Sequence, residues 1–420
     1  MPKSIHAGST AFSTGRSTLC LAVAETIVWA GIYYLFPALL SYWESGFGWS
    51  KVEIALALSF ALVTSALLAP FAGRLIDRGH GRVLLSACGF LGGIVLGLLP
   101  LVETQAQFYT IWIVLGAAMS GCFYEPCFAF VVYAHGADAR KVITRITLVA
   151  GFAGTLSFPT ASYLADSYDW RVAAWAFSAM ICLIATPLFW FGAASPRAKT
   201  GAPEKSPSLQ ESKPVAEVNG VRLSSALRHP AFWQLAFAFT AITITHGVLI
   251  NYLLPLLDDR GVSSAFAVLL ISLFGPMQVA GRLAMMGFER YLSIEAVCAL
   301  SFGLLIIASL SLIFAGDTPA LLILFVCCQG AGIGVTSIAR PVVTAAIFGR
   351  RYFGEISGAI ASNVTFGNAL APAMGGLLLA FGGYDAVLAV VFTLVLCGAV
   401  SFALIYVAAN QNMDPDGGAD

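Results

Sequence analysis

Twelve apolar runs of about twenty residues, separated by short polar breaks, constrain this 420-residue chain more than any other feature. A hydrocarbon core about 30 Å thick is crossed by a helix of roughly 20 apolar residues, so each run can span a bilayer. The runs are Leu19–Leu40, Val52–Gly73, Val83–Leu101, Phe108–Tyr133, Ile146–Ala165, Val172–Phe191, Phe232–Leu257, Ala265–Met286, Ile294–Ala315, Leu321–Phe348, Phe353–Leu379 and Tyr384–Ala408. The alternating ten-residue pattern of a membrane barrel is absent, so the spans are expected to be helical. Composition agrees: 59 % of residues are apolar and 10 % charged, against roughly 25 % charged in a soluble domain. That excludes a soluble enzyme, a disordered chain and a nucleic-acid binder. A formal net charge of zero also gives no steering toward phosphate polymers. The first run lacks the cleavage pattern of a removed signal peptide and is expected to stay in the mature protein.

Orientation follows from the basic residues. With the N-terminus in the cytoplasm, Lys51, Arg171 and Arg260 fall outside and Arg340 lies within a span, which leaves the other eighteen of the 22 Lys and Arg inside. Both termini are therefore expected in the cytoplasm, and the protein in the cell inner membrane. The Pro-, Gly-, Lys- and Glu-rich stretch from Ala194 to Pro230 cannot bury a core and reads as a flexible linker. The expected organisation is a six-helix bundle over 1–193, a linker over 194–230, a second six-helix bundle over 231–409 and a tail over 410–420. The halves echo one another. Gly73-Arg74-Leu75 reappears as Gly281-Arg282-Leu283, Glu125-Pro126 as Arg340-Pro341, and Tyr168-Asp169 as Tyr384-Asp385. Three short matches at nearly constant offset favour a duplicated unit.

After the second run comes Gly73-Arg74-Leu75-Ile76-Asp77-Arg78-Gly79-His80-Gly81-Arg82, which resembles the signature loop of the major facilitator superfamily in type and location. The resemblance implies an all-α integral membrane fold of twelve helices in two pseudo-symmetric six-helix bundles. It also implies a cytoplasmic gate loop, in which Gly73, Asp77, Arg78, Gly81 and Arg82 match the motif and Asp77 lies near the start of the eleventh helix. A carboxylate is favoured there by the helix dipole. The copy after the eighth run, Gly281-Arg282-Leu283-Ala284-Met285-Met286, lacks the acid. Phe47-Gly48-Trp49-Ser50 and His229-Pro230-Ala231-Phe232-Trp233 are similar to bacterial relatives of the monocarboxylate transporters. That group's Lys in the first span and Asp–Arg pair in the eighth are missing here, so the resemblance stops short of naming a monocarboxylate.

Function is expected from polar groups that a membrane does not tolerate idly. With residues at helix ends, such as Asp166, Glu295 and Glu355, set aside, three full charges stand inside the spans, Glu25, Glu125 and Arg340, with one histidine, His246. They fall in spans one, four, ten and seven, the helices that the superfamily resemblance places around a central cavity. Counted from the cytoplasmic ends, both acids and the arginine lie roughly 12–14 Å deep at about 1.5 Å per residue. One glutamate can neutralise Arg340. The other is left as a buried carboxylate able to carry a proton, and Glu25 is the expected carrier. Arg340 is expected to bind an anionic or strongly polar part of the substrate. Helical spacing puts Trp29, Tyr33 and Phe36 on the Glu25 face, and Gln329, Thr336, Ser337 and Thr344 on the Arg340 face. Such walls suit a planar or partly apolar small molecule.

The nine cysteines all lie in runs, and their odd number argues against a disulfide framework. Gly330-Ala331-Gly332-Ile333-Gly334, Gly93 with Gly97, and Gly354 with Gly358 read as close helix packing. No phosphate-binding Gly-x-x-x-x-Gly-Lys-Ser/Thr loop is present, so an ion gradient is expected to drive the chain. The expected function is secondary active transport, not enzymatic catalysis. A proton-coupled symport of a small polar or anionic organic solute is the leading form, with no cofactor, no bound metal and a monomer in the lipid bilayer. Proton-driven efflux of a drug or trivalent metalloid is the alternative. A non-transporting receptor or sensor is the reading from a different class.

Overall fold

A computed structural model describes residues 5–194, 220–288 and 291–411. Residues 195–219 of the expected linker and 412–420 of the expected tail lie outside these. The described residues are helical, with no strand beyond one antiparallel bridge between Gly220 and Gly349. Ten helices are long and apolar enough to cross a membrane. Two of them, Glu53–Leu101 with 49 residues and Phe353–Ile405 with 53, are each more than twice the roughly 20 residues one crossing needs. A glycine turns the chain inside each. Gly79 has φ 86° and Gly383 φ 65° with ψ −161°, conformations that favour a residue without Cβ. Each long helix is therefore two spans, and the total is twelve, as the run lengths predict.

The chain forms two compact units. One comprises Met1–Arg222 with Ala345–Ser362, the other Leu223–Thr344 with Asn363–Asp420. The turn between spans ten and eleven thus packs in the first unit although it comes late in the chain.

Several motifs have local structural work. Ser50 and Glu53 form a reciprocal capping box that starts span two. Phe47 and Trp49 before it stack at 4.3 Å and join a core around the buried Trp43, Phe108 and Trp112. His229 caps the next half of the chain, its Nδ1 accepting from the Ala231 N–H at 3.2 Å with Pro230 at the first helical position. These contacts account for both aromatic motifs without reference to substrate.

In lipid, helices gain nothing from hydrophobic exclusion and associate through close backbone approach. A Cβ on Gly116 of span four would collide with the Ala61 carbonyl of span two. The second unit repeats the contact: a Cβ on Gly334 of span ten would collide with the Gln278 carbonyl of span eight. Residues 61 and 278, and residues 116 and 334, stand at nearly the offset of the sequence echoes, so the duplication extends to packing. Gly330 and Gly332 likewise face spans eight and nine, while Gly93 and Gly97 face Cys182 and Ser178 of span six.

The tightest of these seams joins span two to the start of span eleven. Gly73 and Gly354 lie backbone against backbone, and a Cβ on Gly358 would be 2.5 Å from the Ala69 carbonyl. Ser362 Oγ donates to the Ala66 carbonyl at 2.5 Å. Beyond the end of span two, Asp77 accepts from the Gly354 and Glu355 N–H groups at 2.8 and 2.9 Å. Both are donors that a helix start leaves over. Arg74 Nε meets Glu355 Oε1 at 2.5 Å beside it.

Two outcomes follow. Gly354→Leu must force the seam apart, at the roughly 1–3 kcal/mol typical of overpacking. Its melting temperature should fall by several degrees, and an unchanged melt contradicts this packing. Asp77 lies in the turn outside the spans. Burial pushes its carboxyl up to about 6, against the two N–H bonds, which lower it. Its folded value exceeds the unfolded one, about 4, so its contribution to stability is full below that value and is lost as pH rises through about 6. Wild type should therefore lose stability relative to Asp77→Asn as pH rises from about 5 to about 7.5, and a flat difference contradicts it.

Candidate functional site

In the first unit, span one is not uniform. A π-helical turn over Trp29–Tyr34 begins four residues after Glu25. Span four is broken at Phe123, whose extended backbone (φ −90°, ψ −170°) separates helix Gln105–Cys122 from helix Tyr124–His135. Pro126 explains the place of the restart. It has no N–H to donate, and the first turn of a new helix needs none there. Cys127 N–H closes that turn on the Phe123 carbonyl at 3.1 Å.

Glu25 is wholly buried, and neither of its oxygens makes a hydrogen bond of ordinary geometry. The polar groups turned toward it are the Trp29 indole and the Cys127 thiol, and Cys122 lies nearby. The Trp29 N–H is itself buried without a partner. Its ring stacks on Phe123 at 4.4 Å and leans on Tyr124 at 4.7 Å, so it covers the break in span four. Tyr33 packs edge-on against Trp29 at 5.1 Å. Glu125 is half-buried in the first turn after the break, where the helix dipole favours a carboxylate.

Phe36 departs from expectation. It contacts Trp112 and Trp43 at 4.6 and 5.3 Å, in the aromatic core rather than beside Trp29. The π turn holds more residues per turn than an α-helix, so the 100° spacing that put Phe36 on the Glu25 face fails beyond Tyr34. Phe123, Tyr124 and Cys127 adjoin Glu25 and Trp29 here without any mark in the helical spacing. The available signal was Pro126, which disfavours continuous helix just before it.

In the second unit, Gln329 is wholly buried, and both its amide atoms lack a hydrogen-bond partner. His246 Nδ1 is also buried and unpartnered, and its ring lies edge-on to Phe274 at 6.1 Å. The residue after Gln329, Gly330, packs on the Met277 side chain and the Phe274 backbone of span eight. Arg340 is half-buried, and its carbonyl accepts from Thr344 Oγ1 at 2.8 Å. Thr336 is already engaged: its hydroxyl is 2.6 Å from Ser301 Oγ and donates to the Gly332 carbonyl. Ser337 similarly donates to the Gly334 carbonyl.

Of the signature loop, Asp77 and Gly73 form the seam already described, and Arg78 is exposed. A Cβ on Gly81 would press on Phe130 at 2.7 Å. Arg82 donates to the Trp190 carbonyl at 2.8 Å with its guanidinium 3.9 Å above that ring, which ties span three to the end of span six. The cysteines form no disulfide. Among the described residues no group of three or more His, Cys, Asp or Glu is placed to hold a metal ion.

The fold is similar to a crystal structure of FucP, a Major Facilitator Superfamily transporter, in the outward conformation. The TM-score is 0.67 at 16 % identity, over 93 % of this chain and 98 % of that one. A search of curated proteins finds no significant match. The family model described as Major Facilitator Superfamily matches residues 21–318, well over half of the sequence. The chain belongs to the major facilitator superfamily and is a secondary transporter, not an enzyme.

Proposed function

We propose that this transporter is a proton-coupled symporter that takes up a small polar or anionic organic solute by alternating access. Glu25 carries the proton, and Arg340 receives the anionic group. The observation that carries this reading is the state of Glu25: wholly buried, with neither oxygen in a hydrogen bond of ordinary geometry. A charge held within a membrane is expensive, and a carboxyl that no neighbour pairs meets that cost by taking up a proton. The π turn and the break at Phe123 adjoin it, and irregular backbone at membrane depth is tolerated where it lines a cavity or protein interior.

Glu125 is the second coupling group. Gln329 and His246 supply unsatisfied polar atoms for substrate, which buried groups otherwise rarely retain, and Trp29 and Tyr33 supply aromatic walls. Thr336 is the weakest member of the set, since its hydroxyl already has two partners. The loop of Gly73, Asp77, Arg78, Gly81 and Arg82 acts as the cytoplasmic gate, with both termini in the cytoplasm and the protein in the inner membrane. The six-helix bundles over 1–193 and 231–409 work as a monomer.

A thermal-shift screen of the purified protein against carboxylates and other small metabolites, with Arg340→Ala as control, tests the substrate class. A stabilising carboxylate should lose its effect in the variant, and a shift that survives contradicts the role of Arg340. In proteoliposomes supplied with that carboxylate, Glu25→Gln should abolish accumulation driven by a pH gradient and spare exchange. Undiminished accumulation contradicts the role of Glu25.

A further inference from the structure

The second unit carries a groove of about 460 Å³ between span nine (Ile294–Phe314) and the end of span twelve. Its walls are small residues at helical spacing, Ala299 and Gly303 on one side and Ala399 and Ala403 on the other. Its floor is Phe302 and Phe402, both buried, with rings 5.5 Å apart. A Cβ added to Gly303 would meet nothing within 4 Å, so the groove is open at that point. Every lining residue is apolar except Glu295 at one end. Glu295 stands in the first turn of span nine after the Ser293 cap, where a span leaves the hydrocarbon and where the helix dipole favours its ionised form. It is half-buried, and among the described residues it has no ion pair or hydrogen bond.

We propose that this groove binds one phospholipid bearing a primary ammonium headgroup, with an acyl chain along the alanine and glycine walls and the ammonium on Glu295. An acyl chain is unbranched and narrow, and it needs no polar partner along its length. A transmembrane helix of a second copy, about 10–12 Å across with its side chains, is too wide to enter between two neighbouring helices. Charge selects the head. A phosphatidylglycerol head offers Glu295 only neutral hydroxyl donors beside a negative phosphate, and a choline head cannot donate a hydrogen bond, whereas an ethanolamine ammonium brings both positive charge and donors.

Native mass spectrometry of the detergent-purified full chain, with phosphatidylethanolamine, phosphatidylcholine and phosphatidylglycerol of matched chain length, tests this. Wild type should retain one phosphatidylethanolamine at about fivefold preference over the other two, the ratio given by an ion pair worth roughly 1 kcal/mol. Glu295→Gln should keep one bound lipid but lose the preference. Gly303→Leu should lose the bound lipid, and Ala399→Leu fills the same groove from the other wall if that variant folds poorly. Equal retention of all three lipids by wild type overturns the proposal, as does a preference that survives Glu295→Gln. A dimer that Gly303→Leu dissolves would assign the groove to a second copy and also overturns it.

Discussion

Charge is costly in hydrocarbon, by amounts that even insertion measurements put at about 2.5–3.5 kcal/mol per residue at a helix centre. A chain of 420 residues with twelve crossings admits such groups only where something compensates. Away from the helix ends three full charges stand within spans, Glu25, Glu125 and Arg340, and of these Glu25 is the one wholly shut from solvent. The surrounding protein does not relieve it with hydrogen bonds of ordinary geometry. It offers an indole N–H and a thiol, in an aromatic setting made by Trp29, Phe123 and Tyr124. That setting is what the proposed proton-carrying role of Glu25 rests on.

The same solvent decides how the helices hold together. Lipid gives no hydrophobic reason for two apolar helices to associate, so close approach at small residues takes over. Gly116 against Ala61, and Gly334 against Gln278, form the same contact in the two units. The seam of span two with span eleven goes further by adding polar groups at the membrane boundary. Asp77 satisfies two N–H groups at the start of span eleven, which binds a late stretch of chain into the first unit. Glycine at 73 and 354 permits the approach that lets the carboxylate reach them.

Much of this was legible in the sequence because the membrane writes simple rules. Run length gave the twelve spans, the resemblance of the loop around Asp77 to the superfamily signature implied its neighbour at the start of span eleven, and the Gly330 to Gly334 stretch reads as packing in both sequence and structure. What escaped was irregularity inside helices. Phe36 was placed on the wrong face because a π turn leaves no mark in apolar periodicity. The break at Phe123 was signalled only by Pro126, a residue that elsewhere in this chain sits inside continuous helices, as at Pro159 and Pro276. Beyond that contact at the start of span eleven, chain order gave no sign that the whole of Ala345–Ser362 packs in the first unit.

The central claim is that Glu25 takes up and releases a proton within the membrane. Infrared difference spectroscopy of the reconstituted protein, titrated with pH, reads the carbonyl stretch of a protonated carboxyl directly and needs no substrate. The account predicts, within the bands that all carboxyls including Asp77 contribute, a component at the high frequency of a carboxyl outside ordinary hydrogen bonds that grows as pH falls, is missing in Glu25→Gln and persists in Glu125→Gln and Asp77→Asn. A titrating band left unchanged by Glu25→Gln would contradict it.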